Sequence, residues 1–205
     1  MAFFTWLEES AFSMWVKDPD TLFGYDLFLT SHAIGMALLV GFSAAIALRI
    51  VGFAPGLPLK PMERFFPVLF LGFWINALSG LVLFVIYPTK PVSNPVFYAK
   101  MAFIVAAVVV IRKMRSAVFT AEPSGEVVVT QRARALAGGL LFIWLGAITA
   151  GRLMAYHGIA NVERQVTIAM ALLVTVVAGT AFVVNRITRN ERAVYPATTD
   201  VAGRR

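Results

Sequence analysis

The sequence predicts an all-α integral membrane protein, a bundle of five transmembrane helices preceded by an N-terminal interfacial amphipathic helix. Three observations carry that expectation. Of the 205 residues, 59% are hydrophobic and only 14% charged, with a mean hydropathy of +0.77, whereas soluble domains carry about 25% charged residues. Long runs contain no Asp, Glu, Lys or Arg, as bilayer insertion requires, since one charge at the bilayer centre costs about 2.5–3.5 kcal/mol. The basic residues gather in alternate connections between those runs. The expected layout is an interfacial helix in residues 1–20, one five-helix domain in residues 21–190 and a cytoplasmic tail in residues 191–205.

Taken in order, residues 2–17 read as a surface helix. Phe4, Leu7, Ala11, Met14 and Trp15 fall on one face, Thr5, Glu9 and Ser13 on another, and Trp6 and Trp15 suit the headgroup region. Glu8 and Glu9 interrupt the apolar run and no basic segment precedes it, so it does not read as a signal peptide. Asp18-Pro19-Asp20 ends it. Residues 27–48, 65–89 and 165–185 are charge-free and long enough to span, at roughly 20 residues per crossing. Residues 95–111 and 135–158 complete the five, each with one cation near an end, Lys100 and Arg152, that must snorkel or find a partner.

Orientation follows from charge. With the N-terminus outside, 13 of the 18 Lys and Arg lie on the inner side, so the positive-inside rule places the N-terminus in the periplasm and the C-terminus in the cytoplasm. The same placement disposes of nucleic acid as a partner, because the excess positive charge of +7 sits in short loops facing the lipid bilayer. The absence of cysteine removes disulfides, thiolate zinc sites, iron–sulfur clusters and c-type haem attachment. Neither a P-loop, nor a Gly-x-Ser-x-Gly elbow, nor a His-Glu-x-x-His helix occurs, so no motif decides whether the chain is an enzyme.

The chemistry-bearing residues are few. His32 and His157, the two histidines, fall toward the outer face on separate helices, an arrangement that suits the axial ligands of a b-type haem held between helices, with Arg152 available for a propionate. Met36 lies at i+4 from His32 and Met154 at i−3 from His157, so each helix offers an imidazole and a thioether, a soft set suited to Cu(I). Against this stands the use of Met to fill gaps between helices. Arg152 and Tyr156, one turn apart, form a polar face whose partner is Asp26, a propionate, a quinone carbonyl or a lipid phosphate. A neutral His32 ligand needs an acceptor for its second nitrogen, from Ser31, Thr30 or a backbone carbonyl. Asn76, with Ser79 and Gly80 one turn on, reads as an interhelical hydrogen bond at a small-residue contact.

The segments His32-x-x-Gly35, Leu48-Arg49-x-x-Gly52, Asn94-Pro95-x-Phe97-x-x-Lys100 and Ala150-Gly151-Arg152-Leu153-x-Ala155-Tyr156 resemble an uncharacterised family of small bacterial inner-membrane proteins. More distantly they are similar to the membrane domain of copper resistance D proteins, multi-span proteins associated with copper handling and shaped like haem-b helix bundles. The resemblance implies a bacterial inner membrane location and carries over His32, Arg49, Asn94, Lys100 and Arg152. Three functions are open at this point. One is a redox or cofactor-binding subunit in electron transfer, working with other membrane or periplasmic redox subunits. The second is a copper handler using His32, His157, Met36 and Met154, and the third a scaffold or accessory subunit with no cofactor.

Overall fold

The computed structural model describes residues 2–21, 23–119, 129–156, 165–172, 174–175 and 178–179. Within them the chain runs α1 (Ala2–Glu8), α2 (Ala11–Lys17), α3 (Tyr25–Val51), α4 (Phe66–Ile86), α5 (Thr89–Val92), α6 (Pro95–Phe119) and α7 (Gln131–Leu153). A 3-10 turn, Lys60–Phe65, leads into α4, and another, Met154–Tyr156, follows α7. Among the described residues four helices, α3, α4, α6 and α7, are long and apolar enough to cross a membrane. The fifth predicted span, 165–185, is described in part: residues 165–172, 174–175 and 178–179 are helical, and Val166 and Met170 join the buried core from it.

Local sequence sets where each helix starts and stops. Ser10 caps α2 by accepting the Ser13 amide at 3.2 Å, and Thr130 caps α7 by accepting the Ala133 amide at 3.1 Å. Asn94 does the same for α6, taking the Val96 amide at 3.0 Å ahead of Pro95 in the first turn. Gly52 closes α3 with φ +109°, the left-handed conformation that glycine alone adopts without cost, and the Phe53 amide returns to the Leu48 carbonyl at 2.9 Å. The 27 residues of α3 extend about 40 Å, more than the roughly 30 Å of a hydrocarbon core, so its ends reach the headgroups or the helix tilts.

The N-terminal segment departs from expectation. Residues 2–17 form two short helices, α1 and α2, instead of one, because the Ser10 hydroxyl both caps α2 and donates to the Leu7 carbonyl at 2.7 Å, turning the chain at Glu9 and Ser10. The buried side also differs. Ser13, expected on the polar face, is fully buried and donates to Leu7 at 2.8 Å and to Val85 of α4 at 3.4 Å, while Met14 points outward at 65% exposure. Lys17 ties the hairpin down by donating to the Glu8 carbonyl at 2.9 Å and lying 4.6 Å over the Tyr87 ring.

The helices pack as two tight pairs, α3 with α4 and α6 with α7, joined mainly by α3 against α7. Ser43 and Trp144 mark that joint, the indole Nε1 donating to the buried Ser43 hydroxyl at 2.8 Å. The spans wear their apolar residues outside as well as inside: Leu71, Trp74, Leu78 and Leu81 form an exposed stripe on α4. In water such a stripe would drive association, whereas in a bilayer it is the ordinary lipid-facing surface. The start of α3, the end of α4, the start of α6 and the end of α7 share one end of the bundle, here the histidine end. The opposite end, with the α3–α4 and α6–α7 connections, is the basic end.

Candidate functional site at the histidine end

The site is built on a close contact between α3 and α4, the tightest at any glycine among the described residues. A Cβ added at Gly35 would lie 2.5 Å from the Asn76 amide nitrogen and 2.8 Å from the Gly72 carbonyl, and one added at Gly72 would lie 2.9 Å from the Gly35 carbonyl. Glycine at both positions therefore lets the α3 and α4 backbones touch. One turn before Gly35, His32 enters the same contact. Its ring fills the space beside Gly80, where a Cβ would be 2.9 Å from Cε1.

The imidazole is held at one nitrogen. His32 Nδ1 lies 2.9 Å from the Asn76 backbone carbonyl and 3.3 Å from the Ser79 hydroxyl. A carbonyl can only accept, so Nδ1 carries the proton and Nε2 keeps its lone pair. Ser79 donates its own proton to the Ile75 carbonyl at 2.6 Å, which leaves its oxygen free to accept from Nδ1. The Asn76 side chain completes a reciprocal clamp, Nδ2 donating to the His32 carbonyl at 2.8 Å. The small-residue contact of Asn76, Ser79 and Gly80 is thus present as expected. The acceptor for His32 is a backbone carbonyl of the neighbouring helix, and neither Ser31 nor Thr30 serves.

On its other side His32 borders a lipid-facing groove of about 530 Å³ between α3 and α7. Ala33, Ala37 and Gly41 give it a small-residue floor, Ile148 of α7 forms the far wall, and Met36 lines it together with His32. The i, i+4 spacing of His32 and Met36 therefore places both on one cavity.

Lys100 enters from α6. Its aliphatic stem lies over Gly151 of α7, with Cε 3.7 Å and Nζ 3.9 Å from where a Cβ would stand, in the neighbourhood of His32. No hydrogen-bond or ion-pair partner for it occurs among the described residues. Asn94, 3% exposed, explains its own motif: besides capping α6 it donates from Nδ2 to the Met154 carbonyl at 3.3 Å, fastening the start of α6 to the end of α7.

The remaining predicted site residues are placed as follows. Arg152 and Tyr156 are exposed at the same end, and Arg152 forms no ion pair with Asp26, since both point outward and the one ion pair among the described residues joins Arg115 to Glu63. Met154 is partly buried against the core, so its side chain packs at the histidine end of the α6–α7 pair. His157 lies outside the described residues. No group of three His, Cys, Asp or Glu that could hold a metal ion occurs among the described residues. Arg49, a motif residue at the basic end, ties down its own loop by donating to the carbonyls of Pro55 and Leu57. Sequence reasoning did not bring Lys100 to His32 or Ser43 to Trp144. No protein-family model, curated protein or solved structure matches the chain.

Proposed function

We propose that this chain is a cofactor-binding redox subunit of a bacterial inner membrane, with His32 anchoring a b-type haem in the outer half of a five-span bundle. The observation that carries the reading is the fixed tautomer of His32. A haem or metal ligand needs a neutral imidazole with one nitrogen hydrogen-bonded and the other free. Asn76 and Ser79 provide the first, and the second would be Nε2, on a ring that lines the α3–α7 groove. The apolar, small-residue groove suits a flat apolar macrocycle. Lys100 and Arg152 at the same end suit its carboxylates, and Tyr156 beside Arg152 adds a donor. His157, next in sequence to Tyr156, would be the candidate for a second ligand. A haem held here would supply one-electron transfer to other membrane or periplasmic redox subunits.

A copper-handling role is the second reading, favoured by Met36 sharing the groove with His32 and by the resemblance to copper resistance D proteins. Haem is the first choice because, among the described residues, Met36 is the one further soft donor lining the groove with His32, while the small-residue floor suits a flat macrocycle. The orientation belongs to the same proposal: N-terminus periplasmic, the N-terminal hairpin at the outer interface, residues 165–185 as the fifth span and the C-terminus cytoplasmic. Absorption spectroscopy of the detergent-purified full chain, expressed with ample haem, tests it. The expected result is a Soret band that His32→Ala abolishes. Bound copper without a Soret band would favour the second reading, and neither would leave a scaffold.

A further inference from the structure

The basic end holds a second cavity that the redox reading does not use. It is a groove of about 670 Å³ between α4 and α6, lined by Phe70 and Trp74 on one side and by Arg112, Arg115 and Phe119 on the other, with Glu63 at its mouth. The two helices meet there through Phe66 and Phe119, ring centroids 5.5 Å apart. Arg115 is already engaged: its guanidinium is 3.6 Å from the Glu63 carboxylate and 5.1 Å over the Phe66 ring. Arg112, three residues earlier on the same face of α6, has no hydrogen-bond or ion-pair partner among the described residues.

We propose that this groove binds one anionic phospholipid from the leaflet at the basic end, with the headgroup phosphate on Arg112 and an acyl chain running past Trp74 onto the exposed stripe of α4. Three observations converge. The charge balance is right, since two guanidinium groups and one carboxylate leave a single positive charge, matching a mono-anionic headgroup. The depth is right. Arg115 and Arg112 lie about 6 and 10 Å along α6 from its C-terminal residue, and Trp74, about 12 Å from the start of α4, lies deeper than both. The polarity is right, because the groove runs from arginines to aromatic rings and then onto the exposed apolar stripe of α4, as a headgroup runs into its tail. Planar guanidinium binds phosphate through paired hydrogen bonds, and Glu63 keeps Arg115 in place without neutralising Arg112.

Native mass spectrometry of the detergent-solubilised full chain tests this, with phosphatidylglycerol, phosphatidylcholine and inorganic phosphate as probes. Wild type is expected to retain one phosphatidylglycerol in preference to phosphatidylcholine, and millimolar inorganic phosphate is expected not to displace it. Arg112→Gln should reduce retention about tenfold, the loss of one charge-assisted hydrogen bond. Arg134→Gln, which removes the same charge from the same end outside the groove, should leave it unchanged. Equal retention of the two lipids by wild type would overturn the proposal even if the variant failed to fold. Equal losses in the two variants would overturn it in favour of diffuse attraction, and displacement by inorganic phosphate in favour of a free-anion site.

Discussion

The two ends of the bundle are built on opposite principles. At the histidine end the described residues hold four basic side chains, Lys17, Lys90, Lys100 and Arg152, against five acidic ones, Glu8, Glu9, Asp18, Asp20 and Asp26. At the basic end eight, Arg49, Lys60, Arg64, Arg112, Lys113, Arg115, Arg132 and Arg134, face Glu63 alone. The backbones touch at mid-bundle, at Gly35 and Gly72, and from there to the histidine end polar groups are paired inside the bundle: His32 with Asn76 and Ser79, Asn94 with Met154, Ser13 with Val85. The basic end is held by a dry apolar core, with Ile46, Ile50, Phe66, Leu69, Ile111 and Met114 all buried, and rimmed by an exposed ion pair and loop carbonyls. One end is organised by packing around paired polar groups, the other by an apolar core with charge presented at its rim. This is the distribution expected if chemistry occupies one end and lipid headgroups the other.

The largest effect that could break the comparison is a methyl group where the α3 and α4 backbones touch. Gly35→Ala places a carbon 2.5 Å from the Asn76 backbone, and α4 must move as a whole to admit it. The expected loss is about 1–3 kcal/mol, as for other overpacked contacts. The matched change in the basic half is Gly138→Ala, whose new carbon would meet nothing within 4 Å. It should be neutral, or stabilising by up to about 1 kcal/mol through helix propensity. Thermal unfolding of both variants in the same detergent checks this, and equal losses would mean that the α3–α4 contact is not the tight one.

Removing the Asn76 side chain sharpens the same point. Asn76→Ala deletes the 2.8 Å bond to the His32 carbonyl and leaves the Asn76 backbone carbonyl that holds Nδ1. Interhelical hydrogen bonds in bilayers average about 0.6 kcal/mol and reach about 1.7. A loss in that range is expected, with any cofactor spectrum retained, whereas His32→Ala removes the spectrum. If Asn76→Ala abolished the spectrum as well, the side chain and not the carbonyl would be holding the ring.

Some of this organisation was readable in the chain. The spans follow from charge-free runs because the bilayer penalty acts on every residue of a helix. The Asn76, Ser79 and Gly80 contact follows from polar and small residues one turn apart. The Ser43–Trp144 bond was not readable, since its partners stand 101 residues apart and neither position is unusual within its own helix. Lys100 is anomalous in any sequence reading, but its approach to His32 depends on how α6 is rotated against α3, and an apolar-all-round helix does not encode its rotation. The break at Ser10 was hidden by continuous apolar periodicity on both sides of it.

The smallest expected effect lies at the basic end. Arg49 donates to Pro55 at 2.9 Å and to Leu57 from exposed positions, and the loop it clasps already holds itself through Phe53 on Leu48 and Leu57 on Ala54. Water and headgroups can replace the guanidinium there, so Arg49→Ala should change stability by no more than about 0.5 kcal/mol, as surface substitutions generally do. What it should change is the loop. Without the clasp, residues 52–57 lose the two side-chain bonds to the end of α3 and keep the backbone bonds there, and the loop should be cleaved faster by a protease added to nanodisc-embedded protein. Unfolding and cleavage measured on one preparation separate the two effects. If Arg49→Ala cost as much stability as Gly35→Ala, the basic end would be as tightly built as the histidine end and the contrast between them would fail.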